Sequence, residues 1–75
     1  MVARQPAVVS GSAVNINTAT AADLEKLPYI GSRTAEAIIA YREQNGPFRR
    51  VEHLMLLPGI SEKRFRSIRE VVTVD

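Results

Sequence analysis

The residues of this chain best suited to chemistry surround two short turns. In the stretch LMLLPGISEKRFRSI (Leu54–Ile68), an apolar helical pattern breaks at Pro58-Gly59. A basic helix opens directly after Ser61, carrying Lys63, Arg64, Arg66 and Arg69. A similar arrangement occurs at Pro28-Tyr29-Ile30-Gly31, followed by Ser32 and Arg33. The first amides of a helix have no partner within it, and together with the positive end of the helix dipole they form a site for an anion. A glycine in the turn removes side-chain bulk, so a phosphate oxygen can reach those N–H groups. The candidate donors are the amides of Gly31, Ser32 and Arg33 in the first turn, and of Ser61, Glu62 and Lys63 in the second. Basic residues at a helix start oppose the dipole. Arg33 and Lys63 are therefore best accounted for by an anion that compensates for them. A single such turn between helices is usually a plain connector on a solvated face.

Short helices must hold these turns. Thr20, followed by Asp23 three residues later, has the form of a helix cap and predicts a helix over about 21–27, ended by Pro28. The pattern predicts a second helix from Gly31-Ser32, burying Ala35, Ile38 and Ile39, with a stop at Asn45-Gly46-Pro47. A third fits 51–57. A fourth runs from Ser61 to about Val72 and buries Phe65, Ile68 and Val72. No segment reads as a strand, so the expected class is all-α. Leu24, Leu27, Ile30, Ile38, Leu54, Leu57, Ile60, Phe65 and Ile68 form the expected core.

The two turns belong to a repeat. Shifted by 30 residues, LEKLPYIGSRTAEAI (Leu24–Ile38) falls on LMLLPGISEKRFRSI. Leu24, Leu27, Pro28, Ile30 and Ile38 recur as Leu54, Leu57, Pro58, Ile60 and Ile68, and Arg33 recurs as Lys63. Leucine-rich helices align easily by accident. The added proline, turn isoleucine and basic residue make one helix–turn–helix unit used twice the better reading.

Each unit resembles a helix-hairpin-helix motif, whose usual turn is Gly-hydrophobic-Gly. The stretch from VNINTA through the AYREQNGPF connector to the second hairpin resembles the DNA-binding domains of ComEA-type competence DNA receptors, over about 14–72. Tyr29 stands where such motifs have the first glycine, and Ser61 where they have the second. The resemblance implies a tandem domain with two pseudo-symmetric hairpins and four main helices. It also implies sequence-independent binding of double-stranded DNA, one hairpin gripping the phosphates of each strand across the minor groove. Its implied setting is DNA uptake during natural transformation, outside the cytoplasmic membrane and alongside competence-machinery proteins, with the cytoplasm left open. The expected contact surface comprises Tyr29, Ile30, Gly31, Ser32, Arg33, Gly59, Ile60, Ser61, Glu62, Lys63 and Arg66. Tyr29 lies either against the sugar backbone or in the core. Arg69 recedes from the turn by ~1.5 Å per residue, Arg64 is expected to point elsewhere, and Arg49 and Arg50 reach either a flanking phosphate or solvent. His53 reads as an exposed helix residue.

Composition bounds the alternatives. The chain has 75 residues, 45% of them hydrophobic, which makes one small domain burying about 60% of its unfolded surface. Residues 1–13 read as a leader or linker remnant, 14–75 as the domain. With no cysteine and one histidine, disulfides, thiol catalysis and cysteine-based zinc sites are excluded. No nucleophile–base set, nucleotide loop or metal cluster stands out, so neither an enzyme nor a cofactor or small-molecule substrate is expected. No apolar run approaches the ~20 residues of a membrane span. The net charge is only +2, but most of the basic residues lie after position 46, where a local basic face is expected. Aromatic residues are too few for a platform that stacks single-stranded bases. A monomer on duplex DNA is the main expectation. The rival from another class is a protein-interaction or scaffold module indifferent to DNA.

Overall fold

The computed structural model describes residues 13–74; apart from Ala13, the expected leader lies outside them. Element order is β1 (Val14–Asn15), α1 (Ala21–Glu25), α2 (Ser32–Asn45), a 3-10 helix (Val51–Leu56), α3 (Glu62–Ile68), a second 3-10 turn (Arg69–Val71) and β2 (Val72–Thr73). The fold is helical, as expected. Thr20 caps α1 through its hydroxyl, which accepts from the Asp23 amide at 3.1 Å. Gly46, at φ 86°, stops α2 ahead of Pro47.

Three elements differ from expectation. The segment after Arg50 is a 3-10 helix rather than an α-helix. Arg50 offers no side-chain cap and the segment buries only Leu54, so a short, looser helix meets its packing requirement. The fourth helix ends as α3 at Ile68, not near Val72. The β-branched run from Val71 to Val74 favours extended backbone, and Val72 enters the core from β2. The third difference is a strand pair where no strand was expected. Val14 and Asn15 run parallel to Val72 and Thr73, and the Ile16 amide donates to the Thr73 carbonyl at 3.0 Å.

The core lies between the two helix–turn–helix units. Ile16, Leu24, Ile38, Leu54 and Ile68 are its largest fully buried side chains, each stabilising by about 1.5–3 kcal/mol relative to exposure. Of the expected core, Leu57 is only half-buried, and Ile39 packs at its edge. Val14, Ile16, Ala19 and Phe48 complete it. Phe48 stacks on Tyr41, with ring centroids 4.5 Å apart. His53 is half-buried in its 3-10 helix rather than exposed, because a 3-10 turn rotates side chains differently from an α-turn.

Asn17 ties the segment after β1 to the connector that follows α2. Its side-chain oxygen accepts from the Phe48 amide at 2.7 Å, and its amide nitrogen donates to the Phe48 carbonyl at 3.0 Å. Arg42 adds a bond to the Ile16 carbonyl at 2.9 Å. Asn17→Ala leaves both Phe48 backbone groups without these partners. Chemical denaturation should show a stability loss of about 1–3 kcal/mol, with the midpoint lowered and the slope unchanged.

Candidate nucleic-acid interface

The two turns match residue for residue. Leu27 donates to the Leu24 carbonyl at 3.0 Å, and Leu57 to that of Leu54 at 3.0 Å. Ile30 closes its turn onto Leu27 at 3.2 Å, and Ile60 onto Leu57 at 3.3 Å. The following helices open with Ala35 to Gly31 at 2.9 Å and Phe65 to Ser61 at 2.8 Å. Backbone angles pair in the same way. Tyr29 and Gly59 both have positive φ, 67° and 91°. Gly31 and Ser61 are both extended N-caps, with φ and ψ of −95° and −172° against −78° and 167°. The left-handed requirement therefore falls on positions 29 and 59. Gly59 meets it freely, whereas a residue with a Cβ meets it at roughly 1–2 kcal/mol of strain.

Gly31 serves a different purpose. Its extended conformation suits any residue, and a Cβ built on it meets nothing within 4 Å. What it leaves is open space over the start of α2, whose first amides lack a side-chain cap at Gly31. The other hairpin is partly self-satisfied, because Ser61 Oγ accepts from the Arg64 amide at 3.2 Å. α2 is also the longer helix, with fourteen residues to seven in α3, and has no acidic residue in its first turn. Hairpin one therefore offers an anion the more open set of donors.

The structure sorts the expected contact residues. Gly31, Ser32 and Arg33 are exposed together at the start of α2, and Ser61, Glu62 and Lys63 at the start of α3. Ile30 and Ile60 are buried, so only their backbones remain available; the alternation that exposes the turn amides turns these two side chains inward. Among the described residues, neither Arg33 nor Lys63 lies within ion-pair distance of a carboxylate. Arg66 does, 3.1 Å from Glu62, though an exposed pair of this kind holds weakly. Arg69 sits 4.0 Å from Glu52 and over the Phe65 ring. Arg49 and Arg50 are exposed ahead of the 3-10 helix.

One residue, Tyr29, takes the outer of its two expected places, and another, Arg64, departs from expectation. Tyr29 is 60% exposed and does not pack into the core, because a left-handed residue at the tip of a turn projects its side chain outward. Arg64 does not point away from the hairpins. Its guanidinium lies over the Tyr29 ring, 5.5 Å from the centroid, with Nη1 3.5 Å from the Gly59 carbonyl oxygen. A shallow depression lined by Tyr29, Ser61, Lys63, Arg64 and Ser67 joins the hairpins. The repeat carried no signal for Arg64, since its counterpart at the same place in the first unit is Thr34.

Residues 9–73 match the family model described as helix-hairpin-helix motif. The chain belongs to the helix-hairpin-helix family. It is 48% identical to ComE operon protein 1 of Bacillus subtilis, over 85% of this chain and 31% of that protein. It is 46% identical to an uncharacterised protein of Haemophilus influenzae, over 87% and 58% of the two chains. With the kinesin-like protein KIF22-A of Xenopus laevis it shares 46% identity, over 69% of this chain and 8% of that one. The resemblance to ComEA-type domains read from the sequence is thereby borne out. The chain spans about a third of the Bacillus protein and just over half of the Haemophilus one.

Within this helix-hairpin-helix domain the two glycines respond differently to substitution. Gly59→Val places a β-branched residue at φ 91°, with Thr34 Oγ1 only 3.3 Å from the new Cβ. A loss of roughly 1–3 kcal/mol is expected. Gly31→Val meets neither obstacle and should stay within about 0.5 kcal/mol of the parent. Thermal and urea unfolding of both variants check the contrast.

Proposed function

We propose that this domain binds double-stranded DNA through the phosphate backbone, one hairpin to each strand, with hairpin contacts that read no base edges. The observation that carries this reading is the duplicated hairpin. Two turns with matched backbone each present exposed helix-start residues and one basic residue, Arg33 or Lys63, free of carboxylate partners among the described residues. Such contacts position a protein on a duplex and carry no sequence information. The similarity to ComE operon protein 1 supports a place in DNA uptake during transformation, outside the cytoplasmic membrane, with competence-machinery proteins as further partners. No helix among the described residues is long and apolar enough to cross a membrane. The domain acts as a monomeric binding module, not as an enzyme. A protein-interaction module is the second reading, favoured by Leu56, which is 67% exposed beside the exposed Met55.

Charge reversal and backbone bulk test separate parts of the grip. Arg33→Glu and Lys63→Glu should each weaken binding to unrelated mixed-sequence duplexes by the same factor. Gly31→Val should weaken it with folding intact, and unchanged affinity would remove the amide cradle of hairpin one. Salt separates the two function classes. Arg33, Lys63 and one of Arg49 or Arg50 suggest about three neutralised phosphates, hence a loss of about fortyfold in affinity between 50 and 200 mM salt. A protein-interaction module has no reason to bind duplex or to respond in this way. Absence of duplex binding at low salt would end the DNA reading, and a flat salt response would end the phosphate mechanism.

A further inference from the structure

Positions 29 and 59 are equivalent in the two hairpins, as are positions 34 and 64. Each helix sets its member of the second pair against the turn of the opposite hairpin. Thr34 faces Gly59, where an added Cβ would come 3.3 Å from Thr34 Oγ1. Arg64 faces Tyr29, its guanidinium 5.5 Å from the ring centroid. The same cross-contact is thus built twice, once from two small residues and once from a cation and an aromatic ring. Because Arg64 also approaches the Gly59 carbonyl, its guanidinium stands between the two turns and touches both.

Packing does not explain this pair. Glycine at position 29 would hold the turn without strain, as it does at 59, yet a tyrosine occupies φ 67° with most of its ring in solvent. A strained residue whose side chain remains outside the core points to use of that side chain. The ring face attracts and orients the guanidinium lying over it. Arg64 is therefore held above the surface depression, while Lys63 lies at its edge.

We propose that Arg64, positioned by Tyr29, enters the minor groove of bound duplex DNA and favours grooves that are narrow and free of the guanine amino group. The inference rests on the duplex reading above. If each hairpin holds one strand, the space between the hairpins faces the groove dividing the strands, and the guanidinium occupies that space. Negative potential in the minor groove deepens as the groove narrows, which attracts arginine. The guanine N2 amino group projects a donor from the groove floor, and arginine has only donors to offer it. The preference is one of groove shape and potential, so the hairpins still grip phosphates of any sequence.

Anisotropy titrations of the full chain with three duplexes of equal length test the proposal. One contains G·C pairs, one replaces every guanine by inosine, and one contains A·T pairs. Inosine removes the minor-groove amino group and keeps the major-groove edge of guanine. The parent protein should bind the inosine and A·T duplexes several-fold more tightly than the G·C duplex. Arg64→Thr, which copies the residue at position 34, should bind all three equally while still binding duplex in a salt-dependent way through Arg33 and Lys63. Tyr29→Gly, which copies position 59, should lose most of the preference with the turn intact. Equal affinity of the parent for the guanine and inosine duplexes would overturn the proposal, as would a preference that survives Arg64→Thr. Failure of the parent to bind any duplex would instead remove the duplex reading on which it rests.

Discussion

A chain that leaves one helix and enters the next within a few residues must reverse direction sharply, and a left-handed residue makes such a reversal in one step. Positions 29 and 59 supply that reversal, and much of the molecule depends on it. Each reversal carries the chain from a leucine packed on the core, buried at 27 and half-buried at 57, to a buried isoleucine at 30 or 60. The bond from each isoleucine amide back to the leucine carbonyl closes the turn. With Ile30 and Ile60 turned inward, the residues that follow face solvent, and the first amides of α2 and α3 open outward. The exposure of these helix starts is a by-product of core formation.

Duplication makes the domain pseudo-symmetric, but its two halves are chemically unequal. Hairpin one combines a strained tyrosine with an uncapped glycine at the start of the longer helix. Hairpin two has an unstrained glycine and a serine that caps its own helix. One turn therefore leaves its amides more available, and the other is more self-sufficient. Electrostatics follow the same division. α3 and the 3-10 turn that follows it carry four basic side chains, yet Glu62 and Glu52 lie beside two of them. The useful positive charge is smaller and more localised than the count of arginines suggests.

The ends of the domain are joined by a device of a different kind. Two residues of parallel strand at each end, with the Asn17 side chain bridged to Phe48, close the helical units around Ile16. Parallel pairing needs a long crossover, and here the whole helical domain forms that crossover. So small a ladder contributes few hydrogen bonds. What it does is carry Val14, Ile16 and Val72 into the core from both ends of the domain at once.

Local chemistry in the sequence determined the helical class, the cap at Thr20, the stop at Gly46, the inward stripe of Leu24, Ile38, Leu54 and Ile68, and the repeat that doubles the hairpin. The first four depend on residues within one turn or one helix of one another and the repeat on a shift of 30 residues, so spacing along the chain reveals them. That a tyrosine stands where the motif has its first glycine was also legible, but its positive φ was not. The tertiary structure decided what depends on distant partners. β1 exists only because Val72 and Thr73 arrive beside it, and Asn17 has its role only because Phe48 lies across from it. Arg64 stands between the hairpins because pseudo-symmetry sets each helix start against the opposite turn. Its position in the chain gives no hint of this, since the neighbours that orient it are Gly59, five residues earlier, and Tyr29, thirty-five residues away. Which side chain meets which across a fold is settled when the two units share one core, and no spacing within either unit encodes that meeting.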